Sequence, residues 1–272
     1  MKRSLLYQVG GPDAPDFETF VREIELADEL GLEAVWCFPS AGDDGRFGGS
    51  APEIWLSALA ARTKQIRIGW GLGEMTPPSY PPMRVAEQAA TLDQTSKGRL
   101  EVAILPEGEL EGEGDRGWQE GFRMLVEMWD EPTFSWTSER FEVRPVDVVP
   151  KPAQNPHPAI WLAGWNVEHA LAAGGGGLGY LDVSGADVDQ LEIHRDAYTD
   201  ARAGADPNDL VSVHAFGVAG DLASGAEGQE QLQAWEALEI DHAVIRVGGL
   251  DGGQDASVDQ IRALTSTSPD LQ

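Results

Sequence analysis

The chain has 272 residues, with 46 Asp and Glu against 19 Lys and Arg, and a formal net charge of -27. Such a charge repels phosphate backbones and anionic lipid surfaces, which argues against nucleic-acid and membrane partners, and no apolar run approaches the roughly 20 residues that span a bilayer. A hydrophobic fraction of 42% with 9 Trp and 8 Phe excludes a disordered acidic tail, and Cys37, the one cysteine, excludes a disulfide framework or a multi-cysteine metal site.

Met1-Lys2-Arg3 is basic, but the apolar run after it, Leu5 to Val9, is too short for a secretory signal. Ser4–Val9 reads as a first strand, and a soluble, cytoplasmic protein is expected. A helix follows, in which Phe17, Phe20, Val21, Ile24, Ala27 and Leu30 keep the three-to-four spacing of one apolar face. Gly31 stands where that helix should stop. Ala34–Phe38 is the second strand, and Pro39–Ser50 is a Gly- and Asp-rich loop. Pro52 opens the helix Pro52–Arg62, as proline does at a first helical position. Strand Ile66–Gly71, helix Arg84–Thr95 with Gly98 beyond its end, and strand Leu100–Leu105 come next. Pro106–Gly117 is rich in glycine and acid, with Glu107, Glu109, Glu111, Glu113 and Asp115 on alternate positions. After helix Trp118–Trp129, the proline-rich stretch Pro132–Pro158 reads as a long loop with an extended excursion. The remaining strands are Ala159–Ala163, Leu178–Val183, Val211–Val218 and Ala243–Val247. The remaining helices are Val167–Ala173, Asp187–Ala203, Gln229–Leu238 and Val258–Leu264.

Eight strands alternating with eight helices imply a parallel sheet, and the count implies a closed (β/α)8 barrel in a single domain over 1–272. An open, doubly wound sheet is the alternative. No G-x-G-x-x-G follows the first strand, which weakens its dinucleotide-binding version. The three irregular stretches fall in connections, where such enzymes keep function and variability.

The basic residues are 15 Arg and four Lys: Lys2, Lys64, Lys97 and Lys151. Abundant acid with scarce lysine is the surface expected of a protein from a salt-rich, halophilic cytoplasm; an ordinary acidic protein is the alternative. Concentrated salt screens self-repulsion, with a Debye length near 3 Å at about 1 M. The melting temperature is therefore expected to rise as KCl goes from dilute to molar. A flat or falling curve in differential scanning calorimetry removes the halophile argument.

Four segments together resemble the bacterial-luciferase-like monooxygenase family. They are ELADELGLEAV at Glu25–Val35, SAPEIWLSALAARTKQIRIG at Ser50–Gly69, RVAEQAATLDQTSKGRL at Arg84–Leu100 and KPAQNPHPAIWLAG at Lys151–Gly164. They stand in family order and cover about the first 175 residues; the last third matches only by its strand–helix rhythm. The resemblance implies a TIM barrel, here with a shortened late insertion, and a homodimer formed through Pro52–Arg62 and Arg84–Thr95. It also implies reduced FMN or a deazaflavin (coenzyme F420) at the C-terminal mouth, acting on a small-molecule substrate. Flavin members activate oxygen and deazaflavin members transfer hydride; a salt-loving source tilts the choice toward deazaflavin.

The resemblance assigns cofactor contact to Gly69, Trp70 and Gly71, which match the segment beneath the isoalloxazine ring. The alternative is a Gly-rich turn with Trp70 capping the barrel. Gly164, Trp165 and Asn166 match the helix start that meets the cofactor phosphate, where free N–H groups favour an anion, although Asn166 is also a good helix cap. Gly175 and Gly176, within a run of four glycines, could cradle phosphate or simply end a helix. Arg246, beside Gly248 and Gly249, is the remaining cation for an anionic ligand. His214, on a strand with its side chain into the barrel, and Cys37, at the mouth, are candidate catalytic residues. Each has a bland alternative as a core or mouth residue. His194 is expected on the outer face of its helix. No His, Asp and Glu spacing supports a metal site.

Two departures from the family pattern stand out. Cys37-Phe38-Pro39-Ser40 lacks the histidine that many members carry after the second strand. Pro106-Glu107 stands where many have a Gly–Arg turn that contacts phosphate. Proline removes a backbone donor there, and Glu107 adds a like charge. A member that has lost strong cofactor binding and serves as a scaffold or partner subunit is therefore the rival reading.

Overall fold

The computed structural model describes residues 1–9, 15–39, 51–73, 81–106, 117–205, 213–223, 225–247 and 253–265. Its strands are β1 (Lys2–Val9), β2 (Ala34–Pro39), β3 (Arg67–Leu72), β4 (Leu100–Ile104), β5 (Phe134–Thr137), β6 (Glu142–Val146), β7 (Ala159–Gly164), β8 (Gly179–Asp182), β9 (Phe216–Gly220) and β10 (His242–Arg246). Its helices are α1 (Phe17–Glu29), α2 (Pro52–Arg62), α3 (Pro82–Ser96), α4 (Gly117–Asp130), α5 (Val167–Gly175), α6 (Val188–Gly204), α7 (Gly225–Ala237) and α8 (Gly253–Thr265). Eight of the strands close into a barrel in the order β1-β10-β9-β8-β7-β4-β3-β2. All eight pairings in the ring are parallel. This is a TIM barrel.

Strand alternation divides the barrel core into two layers. Leu6, Trp36, Phe38, Ala103, Leu105, Trp161, Ala163, Leu181 and Val244 pack together inside the barrel. The residues between them, including Leu5, Tyr7, Cys37, Ile68, Trp70 and Leu162, pack outward against helix residues such as Phe20, Ile24, Leu56 and Leu59. A parallel strand covered on both sides is apolar throughout, as the fully buried run of β2 shows.

Two polar ties hold the connections. Asp28 of α1 accepts from the backbone N–H groups of Lys64, Gln65 and Ile66, at 2.7 to 2.8 Å. Asp93 of α3, completely buried, accepts from the N–H groups of Ala153 and Gln154 and from the Gln154 amide. The proline-rich excursion proves to be the antiparallel hairpin β5–β6. The seventh barrel strand begins at Phe216, with Val213, His214 and Ala215 before it outside the strand; Val211 and Ser212 of the expected strand lie outside the described residues. Among the described residues, no helix is long and apolar enough to cross a membrane.

Candidate active site

Barrel active sites lie where the strands end. Beneath that end the lumen is closed by apolar side chains, among them Phe38, Leu105, Ala163, Leu181 and Ala219. The glycines of β3 are explained by this filling. A Cβ on Gly69 would stand 2.2 Å from the Trp36 ring, and one on Gly71 would stand 2.4 Å from the Phe38 ring. Both glycines therefore make room for the chain's own aromatics, and the space in front of them is occupied.

Trp70 and Cys37 point away from the lumen. Both are completely buried in the layer between barrel and helices. This corrects the expectation that Trp70 meets the cofactor, its alternative as a cap on the barrel, and the placing of Cys37 at the mouth. Burial pushes the Cys37 thiol far above its ordinary pKa, so it does not supply a thiolate.

At the end of β7, Asn166 caps α5 and accepts the His169 N–H at 2.9 Å. The Trp165 N–H donates to His169 Nδ1 at 3.4 Å, and the two rings meet edge to face at 4.4 Å between centroids. A Cβ on Gly164 would lie 2.5 Å from His169 Cβ. The three residues thus form a tight turn around a buried imidazole. The N–H groups of Val167 and Glu168, in the first turn, have no carbonyl to accept them within the helix. Glu168 also adds a negative side chain there.

Gly175 and Gly176 fall at the other end of α5, as its last residue and its C-cap. They lie at the N-terminal side of the barrel, away from the mouth, and a phosphate cradle there is corrected to a helix exit. Gly177 follows with a φ of 73°. The glycine run also lets helices approach: a Cβ on Gly174 would stand 2.3 Å from the Tyr198 carbonyl oxygen.

Arg246 ends β10 at the mouth. Its guanidinium is half-exposed at 42% and lies 3.6 Å from the carboxylate of Asp221, which is 79% exposed. His214 does not point into the barrel. It is exposed before the start of β9, with its ring stacked 6.0 Å from Tyr198. It lines a cleft of about 540 Å³ at the N-terminal end, with Lys2, Glu236, Asp241 and His242. Pro106 is buried. Glu107, the acidic run that follows it, and Gly248-Gly249 lie outside the described residues. Among the described residues, no group of three or more His, Cys, Asp or Glu side chains could hold a metal ion.

Two polar clusters lie outside the candidate site residues that the sequence singles out. His194 is buried, not on an outer face, and its Nδ1 lies 2.6 Å from Asp182 Oδ2 at the end of β8. Asp182 also accepts the Ser184 N–H at 2.9 Å. The aspartate at a strand's C-terminal end was a usable signal; the register of His194 on α6 was not. At the barrel floor, Glu101 contacts Arg67 and accepts the Trp161 indole N–H at 2.8 Å. Burial raises the Glu101 pKa against the opposing pull of Arg67.

Burial also lowers two histidines, His169 and His242, to a pKa of about 4. In the unfolded chain an imidazole titrates near 6.5, so between about pH 6.5 and 4 the unfolded state binds more protons. Their contribution to stability is therefore full above about pH 6.5 and is lost as pH falls through that window. Urea midpoints measured across the window should fall with pH, and His169→Gln should flatten the slope. An unchanged slope in that variant contradicts the buried neutral imidazole.

A closed parallel eight-stranded barrel with alternating helices defines a TIM barrel. The chain belongs to the luciferase-like monooxygenase family, whose model matches residues 4–246. It is 25% identical over 158 residues to the oxygenase component of a flavin-dependent trigonelline monooxygenase from Acinetobacter baylyi, covering 54% of this chain and 43% of that protein. It is 29% identical over 175 residues to an F420-dependent glucose-6-phosphate dehydrogenase from Amycolatopsis mediterranei, covering 58% of this chain and 51% of the other. The matches thus span about half of each curated relative. In fold, the monooxygenase RslO1 from Streptomyces bottropensis superposes with a TM-score of 0.78 at 21% identity, covering 98% of each chain. An F420-dependent secondary alcohol dehydrogenase, in complex with an F420-acetone adduct, gives 0.77 at 16% identity, covering 100% of this chain and 99% of the other.

Proposed function

We propose that this chain is an oxidoreductase that uses reduced FMN for monooxygenation, or deazaflavin for hydride transfer, on a small organic substrate. The observation that carries the reading is the closed apolar floor at the strand ends, with the first turn of α5 and Arg246 on its rim. These residues fit a flat ring with an anionic tail. Phe38, Leu105, Ala163 and Leu181 would supply an apolar bed for the ring and exclude water there. Val167 and Glu168 offer N–H groups, and Arg246 offers a charge. When bound, the cofactor supplies the redox chemistry, and the chain supplies placement and exclusion of water.

A second reading has its own support. The space before Gly69 and Gly71 is filled by Trp36 and Phe38, and Arg246 already faces Asp221. A scaffold or partner subunit that binds cofactor weakly or not at all is compatible with both facts. Visible difference spectra of the purified chain in molar KCl, on addition of FMN or F420, separate the readings. A saturable shift of the cofactor band supports the enzyme; its absence with both cofactors supports the scaffold.

The reading includes one domain over 1–272, a cytoplasmic location and a homodimer. Ile54 of α2 is 63% exposed, and Phe17 of α1, at 43%, packs edge-on against Trp55. With α3 alongside, this apolar face is the expected dimer contact. Multi-angle light scattering in high salt should give twice the chain mass, and Ile54→Asp should give the monomer. A monomer at every concentration of the unmodified chain contradicts the dimer.

A further inference from the structure

We propose that Arg246 is the residue that recognises the cofactor phosphate, and that Asp221 holds it in a resting ion pair which the phosphate displaces. The inference rests on the reading that the chain binds a phosphorylated flavin or deazaflavin. It follows from what each candidate anion partner at the mouth is already doing.

The turn at the start of α5 is largely committed. The Trp165 N–H points to His169, and the Asn166 side chain caps its own helix. Glu168 places a carboxylate beside the N–H groups that remain. Pro106, after β4, has no N–H to give. Arg246 is the one cation at the described strand ends, and it is built to stay there. Its carbonyl accepts from the Gln260 amide at 3.3 Å, and the next N–H, of Val247, donates to the Leu6 carbonyl at 2.9 Å. Val244 faces the lumen. Two residues on, Arg246 leaves the strand on the same side, over the mouth.

The pair with Asp221 is loose. At 3.6 Å it is longer than a charge-assisted hydrogen bond, which runs near 2.7–2.9 Å. Both partners are open to solvent, where such pairs contribute little. A phosphate can offer the guanidinium two short parallel bonds and so outcompete one distant carboxylate oxygen. Asp221 is then a weak resting partner that a phosphate readily displaces.

FMN and riboflavin differ only by the phosphate, so their affinity ratio reads the contact directly. Titration by flavin fluorescence quenching uses the full chain at the lowest KCl that keeps it folded, where screening is weakest. Circular dichroism checks each variant for folding. The unmodified chain should prefer FMN over riboflavin by about tenfold or more, on the scale of one charge-assisted contact. Arg246→Gln should erase that preference while leaving riboflavin unchanged. Asp221→Asn should tighten FMN by roughly two- to fivefold and leave riboflavin unchanged, since it removes the weak competing carboxylate. Equal binding of the two flavins by the unmodified chain, or an unaltered ratio in Arg246→Gln, overturns the assignment while the flavin reading stands. Absence of binding by FMN, riboflavin and F420 alike overturns both.

Discussion

Asp93→Ala is expected to cost about 3–5 kcal/mol. Asp93 is completely buried. Its carboxylate accepts from Ala153 N at 2.8 Å, Gln154 N at 2.9 Å, Gln154 Nε2 at 2.8 Å and Leu100 N at 3.3 Å. Alanine removes every acceptor: the buried Leu100 N–H and the part-buried donors of Ala153 and Gln154 all lose their partner, which costs more than the bonds themselves contribute. The loop so released leads into β7 and the α5 turn, so the loss reaches the mouth. Asp93→Asn keeps one acceptor oxygen and should lose about half as much. Urea unfolding followed by tryptophan fluorescence measures both; a loss under about 1 kcal/mol for alanine contradicts the tie.

Gly69→Ala should destabilise the barrel by about 3 kcal/mol, at the upper end of ordinary overpacking. The added methyl meets the Trp36 ring at 2.2 Å, and that ring is buried and packs edge to face with Trp161 at 5.9 Å between centroids. Gly71→Ala should behave alike through Phe38. The clash has a direct control. In Trp36→Leu, which removes the ring, Gly69→Ala should cost far less, and the double-mutant cycle should show a coupling of roughly 1–3 kcal/mol. Equal costs in both backgrounds mean that something other than Trp36 requires the glycine. The cofactor affinity of folded Gly69→Ala should be unchanged, since the glycine serves the barrel's own packing.

The contrast between these glycines and their neighbour shows what the sequence makes legible. Strand positions emerged within one or two residues for most of the barrel, because fully buried parallel strands are continuous apolar runs. The same property hides orientation. Gly69, Trp70 and Gly71 occupy one buried strand, and nothing in their order says which face meets the lumen, so Trp70 and Cys37 were read onto the wrong side. Val213 reads as strand but stands before it, since β propensity carries no knowledge of the pairing partner. His194 and Asp182 are 12 residues apart, and Arg246 and Asp221 are 25 apart. Such pairs are set by how α6 and the β9–α7 connection fold back onto the sheet. The glycine run at 174–177 was legible as a helix exit from its position alone; its phosphate role came from composition, and the fold places it at the opposite end of the barrel.

On the proposed reading the functional end of this molecule is the C-terminal mouth, with the apolar floor below and Arg246 on the rim. Hydrogen–deuterium exchange with and without saturating FMN or F420 tests it directly. Protection is expected in peptides covering 163–170, 219–223 and 244–247, with the N-terminal cleft peptides 213–215 and 236–242 unchanged. Protection at the N-terminal cleft, or no protection anywhere, contradicts the account.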